Sequence, residues 1–264
     1  MLTPILLTAA LTVTWNDNSQ TQILKTFRDE FVLITPGMGD FPLSFQQGRE
    51  TGGGDNERPT RIVTFAKPFL MAKYEVPQNL WEAVMGNNPS RWKGPRNSVE
   101  MISWNEAKSF CEKATQLMRA AKLIEPGQQI RLPSESEWEY AARAGTKSVY
   151  SFGDDQSKLG AYGWFTGNAA GNDPPVGAKA PNAWGLYDMH GYLWEWTADG
   201  AHDSYEGAPV DGTAWQADQA TPGKILRSGS WKDAAGQLTS SYRKPAAANL
   251  RDDAVGLRCV LSRD

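Results

Sequence analysis

The chain has 264 residues, 40% hydrophobic and 11% aromatic, enough to bury a sizeable core in one large domain or two small ones. A net charge of −3 and a pI near 5.6 lack the basic footprint of a nucleic-acid binder, and a mean hydropathy of −0.51 excludes a polytopic membrane protein. Two cysteines, Cys111 and Cys259, are too few for a disulfide framework and match no zinc spacing, which leaves one long-range bond or two buried thiols.

In chain order, Met1 to Trp15 holds an apolar run with no Lys or Arg before Lys25. It lacks the basic start of a secretory signal, although Thr8 and Ala10 suit a cleavage site, and it is short for a membrane span. A cleaved leader and an ordinary N-terminal strand both fit. Residues 16–29 are polar and read as a linker or short helix, so 1–29 is set apart as an extension of a single domain over 30–264.

Glu30 to Thr35 reads as a strand closed by Pro36-Gly37, with Phe41 to Gly48 as the second strand of a hairpin. A Gly-rich surface loop spans Glu50 to Pro59, then strands come at Arg61 to Ala66 and Phe69 to Val76. Leu80, Trp81, Val84 and Met85 place a helix over Gln78 to Met85, stopped by Gly86. Ser103 with Glu106, and Ser134 with Glu137, are capping boxes that open two further helices, the first running to about Lys122. Tyr150 to Pro181 is rich in Gly, Asn, Asp and Pro and reads as long loops; strands return at Lys224 to Trp231 and Gly256 to Ser262. The eleven tryptophans keep no period, so no tandem repeat is indicated.

Asn182 to Trp196 packs three tryptophans, two tyrosines, two glycines and two carboxylates into fifteen residues, and reads as a buried, irregular core segment. Irregular backbone inside a protein must find partners for its N–H and C=O groups. Carbonyls beside Asp188 and Glu195 suit a hard cation such as calcium; the two carboxylates equally suit turn caps or an arginine partner.

Five stretches occur in an order and spacing that resemble the formylglycine-generating enzyme, or sulfatase-modifying factor, family. They are Ile102-Ser-Trp-Asn-Glu-Ala-Lys, Arg131-Leu-Pro-Ser-Glu-Ser-Glu-Trp-Glu-Tyr-Ala-Ala-Arg, Gly185-Leu-Tyr-Asp-Met-His-Gly-Tyr-Leu-Trp-Glu-Trp, Leu226-Arg-Ser-Gly-Ser-Trp and Gly256-Leu-Arg-Cys. The resemblance covers residues from Glu30 to the C-terminus. It implies an α+β domain of modified C-type-lectin-like topology with much irregular structure. It also implies calcium bound by Asp188 and Glu195 through carboxylates and by Gly191 and Leu193 through carbonyls. A second calcium site would begin at Asn168 and Ala169, but the segment for its other ligands is shortened here. The resemblance further implies a disulfide between Cys111 and Cys259, which would favour an exported, periplasmic or extracellular protein.

The family's best-known activity oxidises a substrate cysteine with copper and oxygen, and needs two thiols just after the Gly-Ser-aromatic turn. Copper(I) is soft and prefers thiolates. Here the thiol positions fall near Asp233 and Leu238, and no cysteine lies between Cys111 and Cys259. Copper is therefore not expected. A second branch uses three histidines to hold iron, whereas this chain has only His190, read as packing, and His202, read as solvated.

Two functions are compatible with these residues. The first is that of a non-catalytic member that binds a protein partner or small ligand, through a face formed by Trp231, Lys232, Asp233, Gln237, Tyr242, Arg243, Asn249 and Arg251. The second is that of an oxidoreductase of the same family with an altered active site.

Overall fold

The computed structural model describes residues 17–169, 173–216 and 223–263. The apolar run Met1 to Trp15 lies outside them. In chain order the elements are α1 (Asp17–Asp29), β1 (Phe31–Ile34), β2 (Ser44–Gln47), β3 (Arg61–Thr64), β4 (Phe69–Ala72), α2 (Gln78–Met85), α3 (Trp104–Ala120), β5 (Gln128–Arg131), α4 (Glu135–Arg143), β6 (Trp194–Gly200), β7 (Lys224–Arg227), β8 (Lys244–Ala246), β9 (Val255–Gly256) and β10 (Val260–Arg263).

Among the described residues three sheets organise the domain. The first is antiparallel with order β1-β4-β10-β5, the second pairs β2 with β3, and the third has order β8-β7-β6-β9 with β6 and β9 parallel. The expected hairpin of β1 with β2 does not form: β1 pairs with β4, and β2 with β3. Phe31 of β1 enters the core under the helices, while Ile34 of β1 shares a second core with Phe45 of β2, Phe65 and Tyr140, so β1 spans both cores and each strand takes its hydrogen bonds from a strand further along the chain.

Helices α3 and α4 start at the capping boxes read from sequence. Ser103 Oγ accepts from Glu106 N while Glu106 Oε2 accepts from Ser103 N, and Ser134 with Glu137 repeats the arrangement. Both devices satisfy N–H groups that a helix start otherwise leaves unpaired. Helix α1 is part of the fold: Leu24 and Phe27 are buried in the core under α2 and α3, and Gln20 Nε2 donates to Ala83 O at 2.6 Å. In the same core Trp81 of α2 stacks on Phe110 of α3 at 5.2 Å.

Helix α4 is the unusual element, because every one of its residues is buried, including Glu135, Glu137 and Glu139. Buried carboxylates must be paired, and this requirement shapes the middle of the molecule. Much of 150–193 is irregular, as expected, with one 3-10 turn at Gln156–Ala161. The last residues of the aromatic stretch differ from expectation. Trp194 to Trp196 begin β6, which lies between β7 and β9.

Candidate functional site

The loop from Asp188 to Glu195 is held by its backbone. Asp188 adopts φ 58° and Gly191 φ 119°, the latter in the left-handed half of backbone space that glycine tolerates. Gly191 N donates to Ser228 Oγ at 3.1 Å, and Leu193 N donates to Glu75 Oε1 at 3.1 Å. Asp188 Oδ2 accepts Gly177 N at 2.7 Å, while its buried Oδ1 has no partner.

Glu195 is differently engaged. Arg258 donates to it through Nη2 at 2.8 Å and Nε at 3.1 Å, and the Trp138 indole N–H donates to Oε2 at 2.7 Å. The remaining Arg258 donors reach the carbonyls of Ala72, Lys73 and Tyr187. Glu195 of Trp-Glu-Trp and Arg258 of Gly-Leu-Arg-Cys thus form one fully buried ion pair. The arginine alternative for Glu195 is the arrangement present.

As a fit for calcium the loop is mixed. The unpartnered Asp188 Oδ1 suits an oxygen-seeking cation, whereas both Glu195 oxygens are already taken. Among the described residues no three His, Cys, Asp or Glu side chains converge as a metal cluster. Electrostatics nonetheless favour added positive charge. Burial, then the Glu195 and Asp188 charges, push Glu75 well above the usual carboxylate range, and burial lifts Asp188 to about 6. Among the described residues Arg258 is the fully buried cation that faces these three acids. At the other expected calcium position, Asn168 is spent locally: its Oδ1 accepts Phe165 N and its Nδ2 donates to Gly163 O, both at 3.0 Å.

Beside this loop runs the stretch that would carry thiols. Ser230 Oγ donates to Asp233 Oδ2, and Asp233 O accepts both Thr166 N and Thr166 Oγ1 at 3.1 Å. Leu238 is fully buried against Gly191 and Gly229. Its carbonyl accepts from His190 Nδ1 at 2.9 Å. The other nitrogen fixes the tautomer: Ser151 N, which can only donate, points at His190 Nε2 from 3.0 Å, so the proton sits on Nδ1. Burial holds this imidazole down to about 4, and it packs edge-on against Tyr150 and Phe152. His190 is a packing residue, as expected.

The cysteine pair corrects an expectation. Cys111 and Cys259 are buried free thiols with their sulfurs 4.0 Å apart, and no disulfide joins them. They come from α3 and from the residue before β10, which pack together in the core. Export therefore draws no support from that bond.

The expected face is brought together in part. Trp231 and Lys232 sit beside Asp252 and Asp253, since Lys232 Nζ pairs with Asp252 at 2.7 Å and also with Asp253, and Trp231 Nε1 donates to Asp253 O at 3.2 Å, while Asp233 turns to Ser230 and Thr166. Gln237 is half-buried on a 3-10 turn, and Asn249 is exposed. Tyr242 leans on Trp194, with ring centroids 5.8 Å apart. Arg251 is anchored to Glu106 on α3. Arg243 does not belong to the face. It is buried and binds Glu135 through Nε at 2.8 Å and Nη2 at 2.7 Å, because a guanidinium in the interior needs a carboxylate.

Two groups of residues escaped the sequence reading. Arg91, Trp92 and Glu100 adjoin the face, Arg91 pairing with Asp253 at 3.1 Å and Trp92 remaining 47% exposed. Glu100 accepts Arg91 N and Trp92 N, has an unpartnered Oε2, and is raised by burial to about 7. The second group is the ion network of Glu135, Glu139, Arg143, Arg227 and Arg243. The i, i+4 spacing of Glu135 and Glu139, with an arginine closing the apolar strand Lys224–Arg227, was the available signal.

Asp199 ties this network to the 211–216 loop. Its carboxylate accepts Glu135 N at 2.7 Å and Trp215 N at 2.8 Å; burial and then the Glu135 charge raise it to about 7. A carboxyl with a folded pKa above its unfolded value retains a proton that the unfolded chain releases. Its stabilisation is full below about pH 4 and is lost as pH rises towards 7. Asp199→Asn is expected to remove a falling component of stability across that window, about 1.4 kcal/mol per pH unit at its steepest. Urea titrations of parent and variant at several pH values measure it; identical pH slopes would refute the assignment.

Comparison with known proteins agrees with this architecture. The profile of the sulfatase-modifying factor enzyme 1-like domain matches residues 20–263. Chaperone protein LppX of Paenibacillus barcinonensis is 28% identical over 283 residues, covering 90% of this chain and 91% of that protein. Inactive C-alpha-formylglycine-generating enzyme 2 of Mus musculus is 29% identical over 207 residues, covering 71% of this chain and 56% of the mouse protein. The structure of PvdO from Pseudomonas aeruginosa superposes with a TM-score of 0.75 at 30% identity, covering 88% of this chain and 94% of PvdO. With its capping boxes, its Glu195–Arg258 pair and a modified C-type-lectin-like α+β fold, the chain belongs to the sulfatase-modifying factor, or formylglycine-generating enzyme-like, family.

Proposed function

We propose that this chain is a non-catalytic member of its family, which binds a protein partner through the face around Trp231, Lys232 and Asp233, extended by Arg91 and Trp92. One observation carries the reading. The stretch where the family's thiols are expected, near Asp233 and Leu238, holds no cysteine; Asp233 is tied to Ser230 and Leu238 is buried beneath the calcium-like loop, so this stretch offers no thiolate to copper(I). The names of two relatives point the same way, one a chaperone and the other an inactive enzyme. Exposed Trp92 and half-exposed Trp231, each with a cation near its ring, supply the residue types that dominate interface energies.

The test is affinity capture from the native source with the parent and a Trp92→Ala/Trp231→Ala variant. A partner retained by the parent and weakened at least about tenfold in the variant, with unchanged thermal melts, is the expected result. Equal capture by both, or copper-dependent oxygen consumption with a cysteine-containing sulfatase peptide, would overturn it. Export is part of the same proposal, and fractionation of the native cells checks it.

Calcium binding at Asp188 also belongs to this proposal. It is supported by the unpartnered Oδ1 and by three buried carboxyl groups, Glu75, Asp188 and Glu195, set against Arg258, the fully buried cation that faces them among the described residues. At calcium a hundredfold above its Kd, chelation is expected to lower the melting temperature by about 5–10 °C. Asp188→Ala is expected to abolish that shift; a parent insensitive to chelator would remove calcium from the account.

A further inference from the structure

A cavity of about 800 Å³ opens between the first turns of α3, the β5 side of the first sheet and the 211–216 loop. Pockets of this size hold drug-sized molecules. Its lining shares no residue with the Trp231 face, so a ligand bound here would be independent of the function proposed above.

The floor is apolar, formed by Phe65, Phe69, Ile130 and Leu132, with Trp104 and Ala198 at the sides. The Trp104 ring is fixed by its indole N–H, which donates to Thr197 O at 2.8 Å. Lys224 Nζ lies 3.9 Å from the centroid of that ring and Lys108 Nζ 6.0 Å from it, so positive charge gathers on one side of the opening.

The ionisable groups on the lining are unequally committed. The acids are all engaged. Glu137 takes both Nη atoms of Arg131, at 2.6 and 2.7 Å, and accepts Ser134 N at 2.8 Å. Asp211 Oδ1 accepts Thr213 N at 3.0 Å and Thr213 Oγ1 at 2.7 Å. Glu112 pairs with Lys108 at 3.8 Å. Lys67 and Arg263, also on the lining and both exposed, have no acidic partner among the described residues. Cys111 is a buried thiol. An apolar floor, with cations at its edge that no acid among the described residues pairs, selects a ligand that has an apolar body and a negative head.

We propose that this cavity binds an amphipathic organic carboxylate, with its hydrocarbon or aryl body on the Phe65–Leu132 floor and its carboxylate at the Lys67 and Arg263 edge. Titration calorimetry of the full chain with dodecanoate, kept below its micelle concentration, tests this, with dodecanol as the uncharged probe. Saturable one-to-one binding of dodecanoate is expected, weaker by about tenfold for dodecanol and for Lys67→Glu/Arg263→Glu. Ala214→Trp, which fills the cavity from its loop side, is expected to abolish binding of both probes. Thermal melts of each variant establish that it is folded. Absence of saturable dodecanoate binding, equal affinity for the two probes, or affinity unchanged in both variants would each overturn the proposal.

Discussion

Glu135→Ala is expected to destabilise the protein by about 3–5 kcal/mol, among the largest effects of any single substitution here. Glu135 Oε1 accepts Arg227 Nη1 and Arg243 Nε, both at 2.8 Å, and Oε2 accepts Arg243 Nη2 at 2.7 Å. Burial pushes this carboxyl up, but the Arg243 and Arg227 guanidinium groups outweigh it and hold the group below the ordinary range. Truncation would leave two fully buried guanidinium groups short of a counter-charge. Urea unfolding measures the loss. The half-exposed pair of Arg251 with Glu106 serves as the contrast: Arg251→Ala is expected to cost at most about 1 kcal/mol. A Glu135→Ala loss no larger than that of Arg251→Ala would mean the network contributes nothing special.

The second large effect is expected at Gly191. A Cβ there would lie 2.4 Å from Trp164 O and 2.5 Å from Leu238 Cδ2, and the residue adopts φ 119°. Neither neighbour yields easily. Trp164 O accepts Tyr192 N at 3.0 Å, and Leu238 is wholly buried. Gly191→Ala therefore combines backbone strain with overpacking, for a loss of about 2–5 kcal/mol. Because the contact joins the aromatic loop to the stretch around Leu238, the variant is also expected to deprotect amides of both in hydrogen exchange. Exchange changes confined to residues 188–193 would show that the two segments are not coupled.

How much of the fold and site is legible in the sequence varies with the kind of signal. The starts of α3 and α4 are readable because a capping box is a local device: the residues that make the bonds lie three apart. The helix Gln78–Met85 is readable from its apolar period. Strand partners are less so. The chain between β1 and β2 looks like a hairpin turn, but each strand finds its partner further along, β1 with β4 and β2 with β3, and no local signal reports that choice. Among site residues, Asp188 and Glu195 stand out locally, but the partner of Glu195 lies in another motif near the end of the chain. Arg243 reads as a surface residue because a lone arginine in a polar stretch looks exposed; its burial depends on a glutamate far upstream. Long-range charge pairing leaves little local trace in sequence.

The position of β10 has a consequence for how the protein is made. This strand lies inside its sheet, hydrogen-bonded on one side to β4 and on the other to β5. It is also the latest of the described strands to leave a ribosome. Until it emerges, β4 and β5 face a gap, Glu195 lacks Arg258, and the nascent chain carries two open strand edges beside an unpaired buried acid. The domain is thus built to close late and at once, and a ribosome stalled shortly before Gly256 would hold a chain more prone to aggregate than to fold.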